Sequence, residues 1–235
     1  MFKGMFQPTE LIRPAIACGL LLALVLAGCT GVELHRFKEH AAQDDYQWIA
    51  GRTIGCDNAS DTCGQLHLIK GEACFRLARS GQAPAHHYHC AADELAKGLA
   101  LKRSWTDPNE RQHFQEHLCE SLANLHTLQS GEAAGHTLVR LVDAAEALYR
   151  MAPESVPAIY YLAIAQFRKM QPKLTHLAVF ERMPVCIRLK RTLMTVLTAM
   201  ETARVEGSED WKRYAKNYER LSFELGSAIG AANCQ

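Results

Sequence analysis

Three histidines and a cysteine crowd into the stretch "APAHHYHCAADELAKG", residues 83–98: His86, His87, His89 and Cys90. Imidazole and thiolate are zinc's usual ligands, and a zinc site needs three or four of them converging on one point. Adjacent side chains such as His86 and His87 diverge on most backbones, so a compact run seldom supplies a whole site. The plainer reading is a solvated loop ahead of a helix, with His86, His87 and His89 kept as minority metal candidates. A second pair, His113 and His117 in "HFQEH", stands four residues apart, which puts both side chains on one helix face. Its glutamate, Glu116, adjoins the second histidine, so the stretch is not HExxH and supplies no zincin-type base. A polar helix face is the plainer reading there.

Other catalytic patterns are missing. The sequence contains no GxSxG elbow, no glycine-rich phosphate loop and no cysteine in a protease-like setting. The acidic run "EGSED" at 206–210 reads as a helix start. The expectation is a chain that is not an enzyme, with no catalytic residue, no cofactor and no resident metal.

The use of Cys90 depends on the compartment, and the N-terminus bears on that. Lys3 and Arg13 flank an apolar run from Ala15 to Leu26 that ends in "LAGC", residues 26–29. Basic flank, short apolar core and small residues before a cut form a secretory signal, too short for a comfortable membrane span. The alternatives are an ordinary signal peptide or an uncleaved anchor. "LAGC" resembles the lipobox of bacterial lipoproteins. That resemblance implies cleavage after residue 28 and acylation (palmitate-type) of Cys29. Thr30 follows, not the aspartate that retains enteric lipoproteins at the inner membrane, so the resemblance implies a lipid-anchored protein on the periplasmic face of the outer membrane. Several acyl chains give stable anchoring, each buried methylene contributing about 0.8 kcal/mol. Without Lys3, Arg13 and Glu10, the 26 basic and 25 acidic residues become 24 and 24. Such a balance argues against a nucleic-acid partner.

Nine cysteines are present; Cys18 goes with the signal and Cys29 carries lipid. Cys56, Cys63, Cys74, Cys90, Cys119, Cys186 and Cys234 remain. Periplasmic cysteines usually pair, and an odd number leaves one over. Cys56 and Cys63 flank the polar "DNASDT" and are expected to bridge locally. Cys74 and Cys90 are expected to bridge across a helical hairpin. Cys234 would staple the C-terminal end to Cys186 or Cys119.

The elements that position these residues are helical. Apolar residues recur at three- and four-residue steps almost throughout, as in Phe114, Leu118, Leu122, Leu125 and Leu128, and no strand-like alternation persists. The fold class is all-α, antiparallel helix pairs in a short solenoid or an irregular bundle. Residues 1–28 form the signal, 29–63 a tether with an N-terminal helix, and 64–235 the helical domain. Helices are expected near 32–52, 64–79, 88–104, 108–129, 134–151, 155–171, 185–205 and 208–229, with a short turn over 174–182 ended by Pro184. Asp107 and Ser208 are expected as N-caps.

"AEALYRMAPESVPAIYYLAIAQFRKM", residues 145–170, resembles the junction between two tetratricopeptide repeats, with Pro153 as the turn and Leu162-Ala163 as the close-packing step. Residues 65–103, with Gly71 at the contact, and 108–151 are weaker echoes. The resemblance implies that Pro157, Tyr160, Ile164 and Phe167 face a groove suited to a partner helix or hydrophobic peptide; the alternative is that they pack under a neighbouring helix. The function so implied is a non-catalytic scaffold or assembly factor binding envelope proteins. The alternative readings are a small hydrophobic ligand-binding component of a TRAP-type transport system, and a metal or redox protein using the histidines or an unpaired cysteine.

Overall fold

The computed structural model describes residues 30–56, 58–174 and 179–234; the expected signal, the lipobox-like stretch and Cys29 lie outside them. Among the described residues the chain is all-α, with no strand. The helices are α1 over 30–42, α2 Tyr46–Ala50, α3 Asp61–Arg79, α4 Pro84–Leu101, α5 Pro108–Leu128, α6 Gly131–Met151, α7 Val156–Leu174, α8 Val179–Glu206 and α9 Glu209–Ala231. No helix among the described residues is long and apolar enough to cross a membrane.

Three expected boundaries are corrected. The single helix expected over 32–52 is two, because Asp44 takes a left-handed φ of 56° and Asp45 caps a new helix by accepting from the Trp48 amide. The histidine-rich loop is not a loop. Pro84, whose ring presets a helical φ, starts α4 directly after Ala83, and puts His86, His87 and His89 on the first two turns. The turn expected over 174–182 is helical again from Val179; residues 175–178 lie outside the described residues. Pro184 falls inside α8 and removes one backbone donor from the ladder without ending the helix. The expected caps are found: Asp107 accepts from the Asn109 amide and Ser208 from the Trp211 amide.

The helices form two rows. α3, α5, α7 and α9 touch in succession, while α4, α6 and α8 each pack between the helix before and the helix after. The α3–α4 pair is the closest. A Cβ on Gly71 would stand 2.7 Å from the Leu95 side chain, one on Gly98 2.7 Å from Leu68, and one on Gly64 2.6 Å from the Lys102 backbone nitrogen. Three glycines thus let two backbones approach where any side chain would hold them apart, and Gly71 is the expected contact. One continuous apolar core runs from α3 to α9. A smaller one, of Phe37, Ile49, Leu66 and Ala73, seats α1 and α2 on α3.

The two expected local bridges, Cys56–Cys63 and Cys74–Cys90, are formed, and of the two partners open to Cys234 it is Cys186 that pairs with it. Among the described residues Cys119 is the free cysteine, buried in the core.

Candidate functional site

The row α3, α5, α7, α9 carries one strip of polar side chains, each helix contributing at helical spacing, with the arginines and His113 outermost and Glu116, His117 and the tyrosines buried beneath them. α3 supplies Glu72, Arg76 and Arg79. α5 supplies His113, Glu116, His117, Glu120 and Asn124. α7 supplies Tyr160, Tyr161 and Arg168, and α9 supplies Arg213, Tyr214, Asn217 and Arg220. Apolar residues on the other faces of these helices fill the core, so burying those faces leaves the strip at the boundary between core and solvent.

Two concavities lie along the strip. The upper cleft, about 730 Å³, is bounded by the α1–α2 turn, α3, α5 and Arg213. The lower cavity, about 330 Å³, lies between α5, α7 and α9. Arg79 and Arg213 line both, so the two adjoin. Four arginines, Arg79, Arg168, Arg213 and Arg220, line the lower cavity with one carboxylate, Glu120; Arg79 pairs with Glu120, and Arg213 and Arg220 pair with Glu116, Asp210 and Glu224 beside the cavity.

The wall of the upper cleft holds a linked set of ionisable groups. Glu72 accepts from Arg76 Nε at 2.8 Å through one oxygen and pairs with His117 Nδ1 at 2.5 Å through the other. The His117 ring stacks on Phe75, centroids 4.1 Å apart, and lies 4.1 Å from the ring of His113. Burial works against ionisation of Glu72, but the hydrogen bond from His117 and the charges of His117 and Arg76 outweigh it, and the carboxyl sits below its ordinary range. Burial, then the neighbouring His117, lowers the His113 pKa.

Between the cavities, Glu116 is 4% exposed. It accepts from the Tyr214 hydroxyl at 2.8 Å and pairs with Arg213 at 2.7 Å. Burial raises its pKa, and the Tyr214 and Arg213 interactions offset this only in part. The Tyr214 hydroxyl also lies 3.1 Å from that of Tyr161. α9 is therefore tied to α5 and α7 by buried polar contacts as well as by apolar packing.

The predicted site residues are placed as follows. His86, His87 and His89 do not converge: the rings of His86 and His87 are 5.1 Å apart and edge-on, while His89 turns to Asp93. Consecutive positions on a helix diverge by about 100°, which separates His86 from His87. Cys90 is spent in its disulfide. Of the groove expected from Pro157, Tyr160, Ile164 and Phe167, all four residues are buried, and only Tyr160 and Ile164 reach the lining of the lower cavity. α9 lies on this face of α7, with Tyr160 packed against Tyr214 and Tyr218. Burial pushes the Cys119 thiol well up, so it carries no reactive thiolate. Cys29 lies outside the described residues.

Sequence reasoning missed Glu72 and the α9 residues Arg213 and Tyr214, and it weighed Glu116 only as a neighbour of His117 and not as a partner of Arg213 and Tyr214. Their partners lie 45 positions away for Glu72–His117 and 98 for Glu116–Tyr214. The one local signal was the α5 run His113, Glu116, His117, Glu120, Asn124, a polar stripe at helical spacing on a helix otherwise rich in buried leucines. No protein-family model matches the chain, and no curated protein is significantly similar to it.

Proposed function

We propose that the protein is a non-catalytic binding protein, tethered through a lipid on Cys29 to the periplasmic face of the outer membrane, that takes up an acidic segment of an envelope partner protein. The observation that carries this reading is the lower cavity, whose lining gathers four arginines and a single carboxylate and adjoins the larger cleft, with the other carboxylates that pair with these arginines set outside the lining. Guanidinium groups hold carboxylates through paired, charge-assisted hydrogen bonds. A chain whose overall charge is nearly balanced but which gathers arginines in one cavity favours an anionic partner group there. The two-row alternation of helices supports the repeat-like organisation suggested by residues 145–170. Three disulfides support an oxidising compartment.

The test is site-specific photo-cross-linking in the envelope. A photoreactive residue at Asn217, inside the lower cavity, is expected to give a discrete adduct with a partner. Arg79→Glu with Arg213→Glu is expected to abolish that adduct, and a photoreactive residue at the exposed Gly226 is expected not to form it. An adduct insensitive to the charge reversal would overturn the reading. Cys29→Ser is expected to release the protein from the membrane fraction.

A further inference from the structure

We propose that Glu72, His113 and His117 form a site for a divalent metal of the zinc class, in the wall of the upper cleft, with a coordination position open to that cleft. The inference stands apart from the acidic-partner reading and does not depend on it.

The geometry carries it. One ligand atom from each of Glu72, His113 and His117 lies within 4.8 Å of the others. Around a tetrahedral ion with bonds of about 2.0–2.2 Å, neighbouring ligand atoms stand roughly 3.3 Å apart. Small side-chain rotations on fixed backbones therefore close the set. The four-residue spacing puts both imidazoles on one face of α5, and α3 delivers the carboxylate where the two helices touch. Two imidazoles and one carboxylate form a recognised zinc ligand set, with a fourth position left for water or a ligand.

The supporting contacts match what such ligands need. Arg76 fixes Glu72 by donating to one oxygen, which leaves the other turned to the histidines. Stacking on Phe75 holds the His117 ring. Outer contacts of this kind orient metal ligands and set their basicity. Glu72 and His117 are mostly buried, whereas His113 is exposed and lines the cleft, so an ion has a route in.

The rival clusters do not offer a comparable set. Cys56, Cys63 and His67 are also close together, but both sulfurs are joined in a disulfide and His67 is bound between the Cys56 carbonyl and Glu94. His86, His87 and His89 diverge along α4.

The test uses the protein with its three disulfides intact and no affinity tag. Zinc is titrated against a chromogenic chelator, and cobalt(II) is added separately for its visible absorption. The expected result is one zinc per chain at a Kd of about 1 µM or tighter, and cobalt bands of four-coordinate intensity. His113→Ala is the decisive variant, because the ring is exposed and its removal leaves the core packing in place. It is expected to weaken zinc at least 100-fold while the helical circular dichroism stays unchanged. Glu72→Gln is expected to weaken it at least 10-fold, and changing His86, His87 and His89 together to alanine is expected to leave it unchanged. Zinc is also expected to raise the melting temperature of the unaltered protein but not that of His113→Ala. No zinc bound at 100 µM would overturn the proposal and leave Glu72–His117 as a helix-pairing contact alone. Binding that survives His113→Ala, or that vanishes with the His86, His87, His89 triple change, would overturn it equally.

Discussion

The α3–α4 hairpin and the α8–α9 hairpin are both antiparallel helix pairs closed by a disulfide, yet they are held together differently. In α3–α4, glycines at 64, 71 and 98 bring the backbones together and the Cys74–Cys90 bridge sits beside the turn. In α8–α9 no glycine is in close contact; Gly226 and Gly230 have nothing near the position of a Cβ. The bridge there, Cys186–Cys234, joins residues 48 apart, at the far end from the turn at Gly207. α8 also leaves Phe180 82% exposed and Met183 69% exposed. Close approach of backbones marks the first pair. The second draws on its remote staple and on side-chain packing of Leu189, Val196, Leu221 and Leu225, while the Tyr218 hydroxyl ties α9 to α7 by donating to the Val156 carbonyl at 2.7 Å.

The sharpest way to break this contrast is to remove the bridges one at a time. In the chain-entropy picture, a bridge closing 48 residues contributes about 4 kcal/mol and one closing 16 about 3 kcal/mol. Cys186→Ser with Cys234→Ser is expected to cost more in urea-unfolding free energy than Cys74→Ser with Cys90→Ser. The pattern of loss matters more than its size. Hydrogen exchange is expected to rise selectively in α8 and α9 when the long bridge goes, because the start of α8 leaves Phe180 and Met183 exposed and no close backbone approach backs the bridge there. When the short bridge goes, α3 and α4 are expected to stay protected by their close packing. Uniform loss of protection in both variants would mean that the two hairpins do not differ in the way described.

A smaller effect probes the close packing itself. Gly71→Ala places a methyl carbon 2.7 Å from the Leu95 side chain and 2.9 Å from the Leu95 backbone nitrogen. The side chain can turn aside, but the backbone cannot, so α3 and α4 must separate slightly. Overpacking of this kind costs about 1–3 kcal/mol. The expected outcome is a lower urea midpoint at an unchanged slope.

The same contrast explains how much was legible in the sequence. Local features were: Asp107 and Ser208 as caps, Gly71 as the close contact, Cys56–Cys63 and Cys74–Cys90 as short-range bridges. Each is fixed by residues a few positions or one hairpin apart. The break at Asp44 was not, because a left-handed aspartate leaves no mark in apolar periodicity. The start of α4 at Pro84 was hidden by the polar character of its first turns, which conceals a helix that has little to bury there. The cleft was the least legible. Glu72, His117, Glu116 and Arg213 come from three helices, and only their packing makes them neighbours. The residues assigned to a groove on α7 show the same limit. Their spacing marks a face that needs a partner, but not that α9 supplies it.

The smallest expected effect reverses the sign of the glycine argument. Gly226 lies in α9, is exposed, and has no heavy atom within 4 Å of the position of a Cβ. A glycine there gives up backbone entropy on folding and gains nothing from close approach. Alanine in a helix interior is favoured over glycine by about 0.5–1 kcal/mol. Gly226→Ala is therefore expected to stabilise the protein by that amount, where Gly71→Ala destabilises it. The measurement is a pair of urea titrations on the two variants and the parent, all with disulfides oxidised. Both changes add the same methyl group to a helical glycine, so propensity acts alike in each, and the difference between them isolates the packing at Leu95. If Gly71→Ala also stabilised, α3 and α4 would have to be looser than the spacing at Leu95 indicates, and the hairpin would be held by its disulfide alone.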